Sequence, residues 1–330
     1  MSATTETGAQ STVRAMRWGL VGTRGLAIKG CLPAFADTDG ADLVSVLSTD
    51  EARAEAFASE HGLESGTSDL AAFLATDIDA VWIASPTHLH HAQATAALEA
   101  GKHVLLEKPL AMTASDGWDL VETARRVERV LATGYQARYV PGHIAMRRLI
   151  AEGAIGRVTV ARTYYGIHRP GPPPEWRQQR ATARWGALAD VGTHHIDLLR
   201  MLLGEVEEAD GIHASQLGFQ TDDVVAATLR MSNDVVATLT ITNNASVQSN
   251  RVEVHGTEGA LVAVDTSPDG RGSVHLLRPG QEPEDVTGER PLSFAAQLDT
   301  VTRAASGEDV SYATGEDGAR NLELLAKIVD

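Results

Sequence analysis

Short apolar runs alternate with segments of helical periodicity through the first part of the chain. The runs have the length of buried strands and fall at residues 17–21, 42–47, 80–84, 104–106 and 130–134. The helical patterns between them cover residues 25–36, 50–61, 68–75, 89–100 and 113–127. Strands that are apolar throughout and separated by helices predict a doubly wound parallel sheet with both faces covered, in an α/β domain of residues 15–140.

Residues with capping ability stand at the ends of these helical patterns. Asp50, Ser68 and Thr113 are the predicted N-caps, and Gly62 and Gly101 are the predicted C-terminal stops. In an open parallel sheet, ligands bind at the carboxyl ends of the strands. Side chains that follow the apolar runs directly are therefore the first candidates for function.

The pattern changes after residue 140. A predicted helix (142–152), a strand (158–165) and a second helix near 193–203 precede a series of strands at 207–214, 223–231, 235–242, 251–255, 261–264 and 274–277. Successive strands with turn signals predict an α+β domain of residues 141–330 with a large, mostly antiparallel open sheet. The Pro-rich loop "HRPGPPPEWRQQRATARWG" is longer than a plain connection, and loops of that length are often functional.

Composition and charge narrow the classes of function. The chain has 330 residues, 43% hydrophobic and 22% charged, with a net charge of −16. The acidic balance argues against nucleic acid or an anionic membrane as the main partner, and no apolar run has the length of a membrane span. Residues 1–14 are polar and are predicted to be a disordered tail. Cys31, the only cysteine, excludes an intrachain disulfide; it favours a reducing, cytoplasmic setting and is predicted to fill the core.

A degraded dinucleotide fingerprint follows the first strand in "GLVGTRGLAIKG". Gly22 and Ala27 occupy the first and third positions of G-x-G-x-x-G/A, while Arg24 fills the second and Gly25 is displaced by one. The loop at this strand-to-helix turn is predicted to bind the phosphates of a dinucleotide, which makes the domain a Rossmann domain. Its candidate residues are Gly22, Thr23, Arg24, Gly25, Leu26 and Ala27.

The end of the second strand favours NADP(H) over NAD(H). An NAD site usually has an acid there for the ribose hydroxyl groups, whereas this chain has Ser48 and Thr49, with Arg53 one helical turn further. Hydroxyl groups and a guanidinium suit a 2′-phosphate. A solvated helix face is the alternative for Arg53, and Asp50 is better explained as the helix cap.

Two further strands deliver candidate residues to the same edge. The loop "SPTHLHH" places Ser85, Pro86, Thr87 and His90 beside the expected cofactor; the histidine spacing matches no zinc pattern, so no metal is predicted. In "HVLLEKPLAM" the apolar strand is followed directly by two charged residues, Glu107 and Lys108. A lysine at this point could bind a substrate oxygen and stabilise developing negative charge, although a strand that simply reaches the surface explains it too.

These motifs resemble the Gfo/Idh/MocA family of nicotinamide-dependent sugar and cyclitol oxidoreductases. The resemblance covers nearly the whole chain from Met16 and rests on "GKHVLLEKPLA", "SPTHLHHAQATAALEAGK" and "GALADVGTHHIDLLRMLLG". Within the family, "RWGLVGTRGLA", "STDEAR", "EVHGTEGALV" and "YATGEDG" are most similar to the NADP-dependent 1,5-anhydro-D-fructose reductase branch. Pro86 and Thr87 depart from that branch, which has Thr-Asn there.

The resemblance implies that Lys108 is the catalytic lysine, and that Asp190 and His194 form the family's D-x-x-x-H motif. A spacing of four puts the last two on one helical face. We expect His194 to pass a proton to the substrate oxygen, Lys108 to polarise that oxygen, and Asp190 to orient the substrate or the imidazole. His195 points elsewhere on the helix and is predicted to be structural.

The resemblance also implies cofactor contacts at Gln136, Trp176 and Arg177. Anchoring of the Pro-rich loop is the alternative for Trp176. Four further residues could line a sugar pocket, namely Tyr165, His168, Arg169 and Trp185.

The sequence therefore predicts an NADP(H)-dependent oxidoreductase that transfers hydride to or from a carbon of a sugar-like substrate. An open sheet has one face that helices leave uncovered, so we expect a homodimer or homotetramer. The alternatives are an NAD-dependent inositol or sugar dehydrogenase and a non-catalytic sensor that binds the cofactor.

Overall fold

The computed structural model describes residues 14–169, 171–289 and 292–329. Most of the predicted tail, residues 1–13, lies outside the described residues. Its last residue, Arg14, donates to both carboxylate oxygens of Asp79 at 2.9 and 3.0 Å. Arg14 therefore belongs to the folded domain rather than to the tail.

Six parallel strands form the first sheet, as predicted, in the order β3-β2-β1-β4-β5-β6. They are β1 (Met16–Val21), β2 (Ala41–Leu47), β3 (Ser65–Thr67), β4 (Ala80–Ile83), β5 (His103–Leu106) and β6 (Leu131–Thr133). The strand order reverses between β1 and β4, which creates a crevice at their carboxyl ends. The short edge strand β3 was not predicted, because Ser-Gly-Thr has no apolar pattern.

Helices cover both faces of this sheet. A π-helical segment (Ala27–Cys31) continues as α1 (Leu32–Ala36), and short 3₁₀ turns stand at Thr87–Leu89 and Gln136–Tyr139. The remaining helices of this half are α2 (Glu51–His61), α3 (Leu70–Leu74), α4 (His90–Glu99) and α5 (Ala114–Arg126). Cys31 is fully buried in the core, as expected.

Local side-chain chemistry ends these helices largely where the sequence indicates. Asp50 caps α2 by accepting from the Arg53 amide, and Gly62 closes it in the left-handed conformation at φ 68°. Thr113 caps α5 in the same way. The prediction of Ser68 as a cap is wrong: Asp69 caps α3, because its carboxylate accepts from two amides of the first turn at 2.8 and 3.2 Å.

The second sheet has eight strands in the order β14-β13-β12-β11-β7-β10-β9-β8. They are β7 (Val158–Gly166), β8 (Val206–Ala214), β9 (Val224–Met231), β10 (Val236–Thr242), β11 (Ser249–Gly256), β12 (Ala260–Val264), β13 (Ser273–Leu277) and β14 (Glu284–Asp285). Only the β7–β10 pair is parallel among these described strands. The predicted mostly antiparallel sheet is thus confirmed.

Helices pack on one face of this sheet. They are α6 (Pro141–Ala151), a π-helical segment (Leu188–Gly192) and α9 (Thr193–Leu203). The short α7 (Glu175–Gln178) and α8 (Arg180–Ala183) lie in the Pro-rich loop, with α8 against the 3₁₀ turn at Thr87–Leu89. On the other face, β7 and β10 expose Val160, Tyr164 and Val236, and β8 exposes Ile212. This exposed row is called the open face below.

The last two helices contact the first half of the chain, although the sequence assigned them to the second domain, and the second of them also packs against β8. These are α10 (Ser293–Ala305) and α11 (Gly315–Val329). Leu298 of α10 lies in a core cluster with β1 and β4 residues, and Thr133 of β6 donates through its amide to Ala313 at 2.8 Å. Residues of α10 and of the segment before α11 therefore pack with the Rossmann domain. None of the helices in the described residues is long and apolar enough to cross a membrane.

Three buried histidines are held neutral by the fold. Burial is the main cause that lowers the pKa of His90 and His143 to about 4 and that of His195 to about 3. Burial acts in the opposite sense on Glu107 and raises its pKa to about 7. Charging these histidines requires exposure to water, so their protonation favours the unfolded chain.

We therefore expect the free energy of unfolding to fall as the pH drops below about 6.5, the pKa of an unfolded histidine. The unfolded state then binds more protons than the folded state, so each histidine lowers the free energy of unfolding by roughly 1 kcal/mol per pH unit. Glu107 takes up a proton in the folded state over the same range, which offsets the contribution of about one histidine. Urea unfolding at pH 7.5, 6.5 and 5.5 measures this. Stability that is constant or rises toward pH 5.5 would contradict the assignment of neutral histidines.

Candidate active site

A cavity of about 1350 Å³ opens at the carboxyl edge of the parallel sheet and continues toward the second sheet. Loops after β1, β2, β4 and β5 line one part of it, and the Pro-rich loop and α9 line the other. The cavity brings together these predicted site residues: Gly22, Thr23, Arg24, Gly25, Leu26, Ser48, Thr49, Arg53, Ser85, Pro86, Thr87, Glu107, Lys108, Gln136, Trp176, Arg177, Asp190 and His194.

Two residues predicted to contact the cofactor lie outside the cavity lining. Ala27 is fully buried where the fingerprint loop enters its helix. His90 is buried too, with Nδ1 2.9 Å from the carbonyl oxygen of Pro109 and Nε2 2.9 Å from that of Ser85. The His90 side chain therefore joins two cavity loops instead of lying along a cofactor.

The fingerprint loop has the backbone shape that a dinucleotide needs. Gly22 has φ +122°, and a Cβ there would lie 3.2 Å from the carbonyl oxygen of Ala84. Gly25 has φ +57° with open space around its Cα, so the displaced glycine still leaves the backbone accessible. The absence of the usual second glycine is thus compatible with a bound pyrophosphate.

Hydroxyl groups and a guanidinium occupy the far end of the loop. The Arg53 Nε donates to Ser48 Oγ at 3.0 Å and to Thr23 Oγ1 at 3.2 Å, and Nη2 donates to Thr49 Oγ1 at 3.0 Å. Asp50, the nearest acid on α2, accepts from the Arg53 amide at 2.8 Å as the helix cap. This end of the cavity is therefore suited to an anionic group.

Lys108 and Glu107 enter the cavity from the end of β5. The Lys108–Pro109 peptide bond is cis, and only 11% of the Lys108 side chain is exposed. Burial lowers the pKa of Lys108, and the nearby Asp190 carboxylate opposes that effect. Glu107 is buried behind Lys108 and accepts from Trp82 Nε1 at 3.2 Å.

Asp190 forms ion pairs with three positively charged side chains at the centre of the cavity. Its carboxylate accepts from Arg169 and Arg177, and it lies 3.6 Å from Lys108 Nζ, which also donates to the Asp190 carbonyl oxygen. Burial alone would raise the Asp190 pKa, but Arg177, Lys108 and Arg169 hold it well below its usual range. Asp190 is a counter-ion here, and no hydrogen bond joins it to the imidazole of His194 among the contacts of the described residues.

His194 is a neutral group beside these charges. Burial, followed by the charge of Lys108, lowers its pKa well below the usual range. Its ring packs edge-on against Tyr135 with centroids 5.8 Å apart, and Tyr135 shares a 2.8 Å hydrogen bond with Thr193. Within the described residues, Nδ1 of His194 is buried without a partner.

Sequence reasoning missed several residues of the cavity. Gln93 lines it and accepts from the predicted Ser85 at 2.6 Å, and Tyr135, outside the lining, supports the His194 ring. Asn243 follows β10 and Asn250 stands near the start of β11, on either side of β7, and neither carried a motif that could have identified it. Of the four expected sugar-pocket residues, Tyr165, Arg169 and Trp185 line the cavity, whereas the lining does not include His168.

Buried polar atoms without a partner concentrate around this cavity. In the described part of the chain, those on lining residues are Gln136 Oε1, Arg169 Nε, Trp185 Nε1, His194 Nδ1, His195 Nδ1, Asn243 Oδ1 and Asn250 Oδ1. Buried polar groups are normally hydrogen-bonded, and exceptions mark places where a ligand or water completes the network. The same residues do not suggest a metal: no group of His, Cys, Asp or Glu within the described ranges could hold one.

Two family models match the chain. Residues 16–135 match "Oxidoreductase family, NAD-binding Rossmann fold", and residues 143–262 match "GFO/IDH/MocA C-terminal domain". A 1,5-anhydro-D-fructose reductase from Ensifer adhaerens is 32% identical over 318 residues, 95% of either chain. A levoglucosan dehydrogenase from Pseudarthrobacter phenanthrenivorans is 34% identical over 242 residues, 64% of this chain and 62% of that one.

Solved structures agree with this relationship. A levoglucosan dehydrogenase in complex with NADH has a TM-score of 0.86 at 25% identity, over 95% of both chains. A 3-ketoreductase from Actinomadura kijaniata in complex with NADP has a TM-score of 0.83 at 26% identity, over 96% of this chain and 97% of that one. Both cofactor types thus occur among proteins with this fold.

Proposed function

The chain belongs to the Gfo/Idh/MocA family of NAD(P)-dependent oxidoreductases, and we propose that it transfers hydride between NADP(H) and a sugar-derived substrate. The observation that carries this proposal is one cavity that joins the fingerprint loop to Lys108 and to a wall of unpaired polar atoms. A ligand rich in hydroxyl groups can donate to and accept from such a wall. The substrate we favour resembles 1,5-anhydro-D-fructose, since the relative of that activity matches along almost the whole chain.

The charges in the cavity suggest how protons move during the reaction. The nicotinamide, when bound, supplies or accepts the hydride. Lys108 binds the substrate oxygen as an ammonium, because the Asp190 carboxylate favours its charged form. His194 is neutral, so it accepts the proton of a substrate hydroxyl during oxidation. In reduction the same imidazole returns that proton to the substrate oxygen, as expected from the sequence, while Lys108 polarises the oxygen in both directions.

A preference for NADP(H) is supported by the cluster of Arg53, Ser48 and Thr49. Their hydrogen bonds already hold the guanidinium at the end of the cavity where the adenosine ribose is expected. A 2′-phosphate would receive charge-assisted hydrogen bonds from Arg53, while the Asp50 carboxylate is engaged as the cap of α2.

Replacing Arg53 with alanine should weaken NADPH binding about 10- to 100-fold, since a hydrogen bond to a charged group contributes roughly 1.5–3 kcal/mol. NADH binding should change little. Fluorescence titration of the reduced cofactors measures both constants. Arg126→Ala is the control, since Arg126 pairs with Glu99 on an exposed surface. An unchanged NADPH to NADH ratio in Arg53→Ala would favour the NAD-dependent dehydrogenase alternative.

Turnover tests the proposed reaction directly. We expect absorbance changes at the nicotinamide wavelength when the protein is mixed with NADPH and 1,5-anhydro-D-fructose or related ketoses, or with NADP⁺ and aldoses or cyclitols. Lys108→Ala should lower kcat by roughly 10²- to 10³-fold, because it removes a donor to the developing negative charge. Tight cofactor binding without turnover in either direction would favour the sensor alternative.

We also propose that the open face pairs with a second copy of the chain. Val160, Tyr164, Val236 and Ile212 expose large apolar side chains there, and burying them against a twin surface is an economical solution. Sedimentation should therefore give a dimer or tetramer, and Val236→Lys should shift it toward the monomer. A monomeric wild-type protein would contradict this proposal.

Our expectation of a cytoplasmic setting is supported by the single, fully buried cysteine.

A further inference from the structure

The wall of the cavity beyond the catalytic cluster is a connected group of buried polar residues. It consists of His195 on α9, Asn250 on β11, Tyr165 on β7, Thr266 after β12 and His143 on α6. All five line the cavity, and only 5% of His195 and 8% of Asn250 are exposed. We call this group the inner wall. The reasoning from sequence had given His195 a structural role.

Hydrogen bonds and ring packing hold the inner wall in place. The Asn250 Nδ2 donates to the carbonyl oxygen of Thr266 at 2.6 Å, and Thr266 Oγ1 lies 2.9 Å from His143 Nε2. The His143 Nδ1 lies 2.8 Å from the Ala137 carbonyl oxygen, so both nitrogens of that ring have partners. Tyr165 stands opposite Asn250 in the β7–β11 register, and its ring packs edge-on against His195 with centroids 5.5 Å apart.

Two buried polar atoms of this group have no partner among the described residues. They are Asn250 Oδ1 and His195 Nδ1. Since the Asn250 amide nitrogen is used by Thr266, Oδ1 can only accept a hydrogen bond. A neutral imidazole both donates and accepts, and a hydroxyl group does the same. A buried polar group left unpaired costs roughly 1–3 kcal/mol, so the arrangement calls for a partner from the cavity.

We propose that His195 and Asn250 form a subsite for substrate hydroxyl groups that lie away from the reacting carbon. The catalytic oxygen is assigned to Lys108 and His194, and His195 is turned by about 100° from His194 on the same helix. The inner wall therefore contacts a different part of the ligand from the one that Lys108 and His194 contact. This inference rests on the proposed function and adds to it the residues that select among sugars, which no motif in the sequence identifies.

Binding of a polyol in the presence of NADPH tests the subsite, because two reduced partners cannot react. The polyol is the alcohol form of the best substrate from the turnover panel or, if none reacts, 1,5-anhydro-D-glucitol. Calorimetry compares it with its single-deoxy analogues. We expect at least one analogue to bind the wild-type protein about 10- to 100-fold more weakly, as an unpaired buried group would require.

His195→Phe keeps the ring that packs on Tyr165 but removes both nitrogens. It should lower the affinity for the polyol to that for the sensitive analogue, so that the difference between them disappears. His195→Gln, which keeps polar atoms, should retain part of the difference. His195→Met replaces the phenylalanine variant if melting shows that it does not fold. His91→Phe on α4, outside the cavity lining, is the matched control.

The outcomes separate the subsite from the proposed function. Equal binding of the polyol and all deoxy analogues to the wild type, or an undiminished difference in His195→Phe, overturns the subsite, while Lys108-dependent turnover still supports the reaction. Absence of turnover with all panel substrates overturns the proposed function. In that case, loss of the difference between the polyol and its sensitive deoxy analogue in His195→Phe would still support the subsite. If the wild-type protein also fails to bind the polyol, both the subsite and the proposed function are overturned.

Discussion

Burial of the Lys108 ammonium next to the Asp190 carboxylate is the interaction on which the functional arrangement depends. An isolated charge in such a site would neutralise itself, because desolvation disfavours the charged form. Asp190 offsets this for Lys108 and also holds Arg169 and Arg177. The pair joins the end of β5 to the segment before α9, so one contact fixes the first sheet against the second at the reacting centre.

That contact works because both ends are held by rigid elements. On one side, the neutral His90 ring lies between the loops that follow β4 and β5, where it donates to one of the two carbonyl oxygens 2.9 Å from its nitrogens. On the other, a buried carboxylate on α9, Asp197, accepts two hydrogen bonds from Arg138 at 2.6 and 2.7 Å, just beyond β6. A buried bidentate pair of this kind contributes orientation more surely than stability. The helix that carries His194 is thereby fixed relative to the cofactor half of the cavity.

The cavity combines two chemical environments. Its cofactor end has hydroxyl groups and the guanidinium of Arg53, which suit phosphate. Its opposite end has neutral imidazoles and amides whose unpaired atoms suit hydroxyl groups. Neutral histidines are essential there, since a charged ring would repel Lys108 and the two arginines. Burial keeps the His194 and His195 rings uncharged.

By itself the sequence determined the parallel sheet, the order of its helices and most residues that line the cofactor end of the cavity, because apolar periodicity and strand-end position are local signals. It also identified Lys108, Asp190 and His194 through their motifs. Only the tertiary structure decided that His90 lies outside the cavity, that α10 packs on the first sheet and α11 between the two halves, and that Asn250 and His195 line the same space. These facts depend on contacts between residues far apart in the chain, and no short pattern encodes which distant partner satisfies a buried polar atom.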